Sequence, residues 1–145
     1  MFYDTPKGRA RIFWRAFKTW STIMSLPGAF FLMQSLGLLH SIDGVHTLLL
    51  LALYSVLAPG VLFGVLGATA LTFLASPAKK TRTLLVGIVT GLACPLTFFG
   101  ALIVLQGPKN EGVAGWVLYG FIFVLTGAFA GFEAGKAVLS EKLRR

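Results

Sequence analysis

Four stretches without a formal charge divide the chain: residues 20–39, 45–76, 83–106 and 112–132. Each supplies the roughly 20 residues needed to cross about 30 Å of hydrocarbon. Lipid offers the backbone no hydrogen bonds, so each stretch is expected to be helical. The alternation over about 10 residues that marks a transmembrane strand is absent. Composition agrees. Charged residues make up 12% and hydrophobic residues 56% of the 145 positions, with a mean hydropathy of +0.80. A soluble domain carries about 25% charged residues. The expected fold is an all-α integral membrane protein with four transmembrane helices in one domain.

The second stretch is too long for a straight perpendicular crossing at about 1.5 Å per residue. A kink at Pro59-Gly60 with some tilt is the expected solution, because Pro removes one backbone bond and crowds the preceding turn.

Basic residues set the orientation. Lys7, Arg9, Arg11, Arg15 and Lys18 precede the first stretch; Lys79, Lys80 and Arg82 separate the second from the third; Lys136, Lys142, Arg144 and Arg145 follow the fourth. Only Lys109, one of the 13 basic residues, lies in the other two loops. The positive-inside rule then places both termini inside, in a bacterial cytoplasmic membrane or an organellar inner membrane. The net charge of +8 is spread over segment ends and forms no single patch. It therefore points to anionic headgroups and not to nucleic acid. The sequence divides into a basic, aromatic segment (1–19), a transmembrane domain (20–135) and a basic tail (136–145). The first apolar stretch lacks an A-x-A-like cleavage site and reads as a retained helix.

Within the first segment, Lys7, Arg11, Arg15 and Lys18 fall near one line of a helical wheel, with Phe13, Phe17 and Trp20 opposite. Such a helix is expected to lie in the headgroup plane, with Arg11, Arg15 and Lys18 on phosphates and the aromatics on acyl chains. A partner-binding helix, or a plain extension of the first span, would carry the same pattern. Leu26-Pro27-Gly28 is the expected bend between this segment and the crossing part.

A shift of 68 residues brings the two halves into partial register. Pro27 meets Pro95, Phe30-Phe31 meets Phe98-Phe99, and Asp43-Gly44-Val45 meets Glu111-Gly112-Val113. Eight of the 31 pairs from Pro27 to Leu57 are identical. The implied unit is a two-helix hairpin. An even number of spans makes the repeats parallel, related by an axis along the membrane normal. Asp43 and Glu111 would then precede equivalent helices, where a carboxylate favours the N-terminus.

Glycines recur at spacings of four: Gly127, Gly131 and Gly135; Gly60 and Gly64, with Gly67 beyond; Gly87 and Gly91. Such a strip lets another backbone approach closely. It serves either packing within the bundle or docking of another subunit, and the spacing suits both.

Little else carries chemistry. His40 and His46 flank a short loop and are the candidate cofactor ligands, but the other hairpin has no counterpart, and two polar residues at a turn explain them as well. Glu133 and Lys136 share a helix face and are expected to pair. Tyr54, Gln34, Thr90, Thr97 and Tyr119 are expected to bond between helices. The single cysteine, Cys94, excludes an internal disulfide, and no metal-ligand spacing or catalytic constellation occurs. No cofactor, metal or catalytic residue is therefore expected. The favoured reading is a non-catalytic membrane subunit or assembly partner of a larger complex, with lipid and other membrane subunits as partners. The alternative is a small oligomeric transporter or channel.

This reading predicts the accessibility of the loops. In a background lacking Cys94, single cysteines at Ser41 and Asn110 should label with an impermeant thiol reagent applied outside. Outside labelling of cysteines near Lys79 instead would reverse the topology.

Overall fold

In the computed structural model, residues 5–38, 45–75, 79–106 and 113–143 are described, and every secondary-structure element among them is helical. The order is α1 (Pro6–Leu38), α2 (Val45–Ala52), a π-helical segment (Leu53–Leu57), α3 (Ala58–Leu74), α4 (Lys80–Gln106) and α5 (Val113–Leu143). The π-helical segment joins α2 to α3 without a break, so the described residues form four helical rods. α1 packs on α3 and α5, and α4 packs on the same two helices. This makes a ring in which α1 faces α4, and α3 faces α5, across the bundle.

α1 begins where its capping chemistry dictates. Thr5 Oγ1 accepts a hydrogen bond of 3.1 Å from the Gly8 N–H, and Pro6 occupies the first helical position, where its missing N–H costs nothing. From there the helix runs 33 residues with Pro27 inside it. The basic segment is therefore not a separate surface helix. It continues into the first apolar stretch, as in the extension reading, and it packs along α3: a Cβ at Gly64 would meet the Phe17 ring at 3.2 Å and Ser21 Cβ at 3.1 Å. Trp20, expected on acyl chains, is fully buried, with its indole over Gly67. Its Nε1 finds no hydrogen-bond partner among the described residues, which costs about 1–3 kcal/mol in a dry interior.

Three helical rods are long and apolar enough to cross a membrane: Leu49–Leu74, Lys80–Leu105 and Val117–Ser140, with mean hydropathies of 2.3, 2.2 and 1.7. The sequence expectation of four is thus met for three among the described residues. The described part of α1 does not qualify, since five cations occupy its first half and Ser21, Thr22 and Ser25 follow. The other ends also move. α4 starts at Lys80, before the expected 83, and α5 continues through the basic tail to Leu143.

The contacts follow rows of residues four apart, the ridge that gives close crossings. In α1 the buried row is Ile12, Ala16, Trp20 and Met24; in α4 it is Thr83, Gly87, Gly91, Pro95 and Phe99. α5 answers with Gly127, Gly131 and Gly135, beside Ala130, Ala134 and Val138. Gly87 lies against the Gly131 carbonyl, and Gly91 against that of Gly127, with the reverse contacts also made. A side chain at any of the four would enter a neighbouring backbone. Gly135 is looser, with a Cβ there 3.2 Å from Leu84 Cδ2. The strip on α5 is thus turned inward onto α4. The pair on α3 is turned onto α1, where a Cβ at Gly60 would lie 3.0 Å from the Ser21 carbonyl oxygen.

These positions separate helix propensity from packing. Gly100 has open space at the Cβ position, so Gly100→Ala should raise stability by roughly 0.5–1 kcal/mol. Gly131→Ala should lower it despite the same gain in propensity, and Gly131→Leu should cost about 1–3 kcal/mol or more through overpacking. Melting curves in detergent check this. Equal behaviour of the two alanine variants would contradict the backbone contact.

Candidate functional site: an aromatic cavity between the helices

Pro59 organises the site. Its ring has no N–H to give the Ser55 carbonyl, its ordinary helical partner four residues back. The chain responds by widening: the Ala58 N–H bonds to the Leu53 carbonyl, five residues back. Such π-turns within α-helices are frequent at functional sites. Gly28 of α1 closes on the widened turn, with its Cα against the Ser55 carbonyl. The kink expected at Pro59 from sequence is thus a π-helical segment just before it.

Beyond this turn the rods are held apart by rings. Phe63 meets Phe98 edge-on at 5.7 Å and Phe123 at 6.0 Å. Phe99 meets Phe98 at 5.4 Å and Phe123 at 5.2 Å. Phe31 meets Tyr119 edge-on at 4.8 Å. Each edge-on pair contributes about 0.5–1.5 kcal/mol beyond simple burial. Rings in contact with one another leave a gap of about 680 Å³, walled by all four rods. Tyr54, Ser55 and Tyr119 are the polar side chains on its wall. The gap lies in the half of the bundle away from Lys79–Arg82 and the start of α1. Its volume falls in the range of small-molecule sites, about 300–1,000 Å³. What it can do is hold an apolar group, with hydroxyls to orient one polar atom.

The sequence-level candidates fall elsewhere. His40 lies outside the described residues, and of His46 only the backbone is described, in the first turn of α2. Asp43 and Glu111 also lie outside. Among the described residues no group of three His, Cys, Asp or Glu side chains could hold a metal. Glu133 and Lys136 pair at 2.8 Å, and the Lys136 ammonium lies 5.1 Å over the Phe132 ring. Phe13 and Phe17 stack at 6.1 Å, and Lys18 lies 5.5 Å over Trp14. Arg11 is exposed and Arg15 half-buried. Thr97 does not bond between helices: its hydroxyl returns to the Ala93 carbonyl at 2.8 Å in its own helix. The cavity itself was missed. Phe31, Phe98, Phe99, Tyr54 and Tyr119 were each visible, the phenylalanines as repeat markers, but nothing in the sequence said they meet.

Phe99 is 7% exposed and carries much of this cluster. Phe99→Ala should cost about 3–5 kcal/mol, as for other buried aromatics. Phe98→Ala should cost less, since Phe98 is 41% exposed. Detergent melting of the two variants tests the order; the reverse order would mean the cluster is not held by Phe99.

No family model matches the chain, and neither the curated proteins nor the solved structures include a significantly similar one.

Proposed function

We propose that the chain is an integral membrane protein of four spans with both termini on the basic side, and that it serves as a non-catalytic subunit or assembly partner of a larger membrane complex. The carrying observation is how little the rods bury against one another. Only 17%, 17% and 33% of the three apolar windows are buried. Large side chains such as Leu66, Phe73, Val89, Leu96, Phe121 and Phe129 face outward. A soluble protein does not leave so much apolar surface uncovered, and lipid or neighbouring subunits would cover it.

Two observations support α1 as the fourth span and the hairpin repeat. α1 lies antiparallel along α3 over at least residues 17–28, so a membrane that contains α3 contains this part of α1 too. The contact registers also agree. Moving Gly91–Gly127 back by 68 gives positions 23 and 59, beside the contact of Gly60 with Ser21 and Ser25. Moving Gly87–Gly131 gives 19 and 63, beside that of Gly64 with Phe17 and Ser21. The ring order fits as well, since exchanging the hairpins turns the α1–α5 contact into the α4–α3 contact. The alternative reading, a small oligomeric transporter or channel, is favoured by the aromatic cavity and the π-turn beside it. Against it, among the described residues no Asp, Glu, Lys, Arg or His side chain lines the gap, whereas ion and proton pathways use them.

Alkaline carbonate extraction followed by native purification tests the proposal. The protein should stay with the membrane and co-purify with a second membrane protein in fixed ratio. Release by carbonate would remove the membrane reading. A pure homo-oligomer would replace the subunit reading with the transporter one.

A further inference from the structure

A groove of about 740 Å³ runs from the end of α3 along the first turns of α4. Its rim carries Lys79, Lys80 and Arg82, all exposed, and its floor is made by Leu74, Leu85 and Val89. Leu74, Leu85 and Val89 are 56%, 55% and 52% exposed, so the floor opens outward and not into the bundle. Three cations at one end and branched aliphatic side chains below them complement a molecule with an anionic head and a hydrocarbon body. Lys and Arg would meet phosphate oxygens with short charge-assisted bonds, and the aliphatic floor would meet an acyl chain.

We propose that this groove is a binding site for one anionic phospholipid, distinct from the general attraction of the basic end for a charged surface. The proposal rests on the reading of the chain as a membrane protein. A zwitterionic phospholipid brings a compensating ammonium and fits the rim less well. A free phosphate lacks the hydrocarbon body and leaves the floor uncovered. Three features make the site local. Lys79, Lys80 and Arg82 all line the one groove. The aliphatic residues sit at the i, i+4 spacing of Leu85 and Val89, so they form a line running away from the rim. Two other cations of this end are engaged elsewhere: Lys18 lies over Trp14 and Lys136 pairs with Glu133.

The test uses the full chain, purified in mild detergent and measured by native mass spectrometry with phosphatidylglycerol and with phosphatidylcholine added at equal concentration. The wild type should retain one phosphatidylglycerol at least tenfold more than phosphatidylcholine. The triple variant Lys79→Gln, Lys80→Gln, Arg82→Gln should bring that ratio close to one. A charge-matched control, Lys7→Gln, Arg9→Gln, Lys142→Gln, should keep it. Val89→Asp should lower retention of phosphatidylglycerol but leave inorganic phosphate, tested separately, without effect. If both triple variants lose the preference equally, the effect is bulk electrostatics and the site is overturned. If the Lys79 variant keeps the preference, the site is likewise overturned. Carbonate extraction of each variant separates these failures from loss of the membrane reading, which would release wild type and variants alike.

Discussion

Everything in this bundle depends on how closely α4 and α5 approach at two pairs of glycines. Gly87 faces Gly131 and Gly91 faces Gly127, backbone on backbone. In the proposed membrane setting, lipid tails would solvate an apolar helix as well as another helix does, so burial of apolar surface would give little drive for association. What remains is dispersion over a close, well-fitted contact, together with weak Cα–H···O interactions between the two backbones. Both fall off steeply with distance. A side chain at either pair would push the helices apart and remove most of the gain.

The same spacing of four recurs in every rod, but with different fillings, and this divides the bundle lengthwise. Towards the basic end the rows contain Ala16, Ala130, Ala134 and glycines, and the helices close up. Trp20 fits there only because Gly67 leaves its indole room. Towards the other end the rows pass to Phe99, Phe123 and Phe63, whose rings prop the rods apart. Pro59 adds a second constraint by forcing the π-turn that brings Ser55 onto Gly28. The aromatic cavity is the joint result: tight at one end, propped at the other, with a widened turn in its wall.

The charged groups follow the same division. The described cations sit at the end where the helices close, in the first half of α1, at the start of α4 and towards the end of α5. On the proposed membrane reading, charge there would meet headgroups or water and not hydrocarbon. The groove beside Lys79–Arg82 lies at the start of α4, where Leu85 and Val89 are more than half exposed.

Much of this was legible from residue order alone, because hydrophobic length, charge placement and glycine spacing act locally along the chain. The uncharged stretches fixed the helical class, the loop cations fixed an orientation to test, and the glycines marked the faces that pack. Residue order left three things open. The row of basic residues in α1 has the same wheel pattern whether the helix lies on a surface or stands along a neighbour, and only contact with Gly64 and Gly67 decided for the latter. The glycine strip of α5 suits an internal or an external partner equally, and only the position of α4 chose the internal one. The cavity joins Phe31, Tyr54, Phe99 and Tyr119 from separate rods. Which rings meet depends on helix rotation and crossing, and those are set by packing between rods, on which no single stretch of sequence carries information.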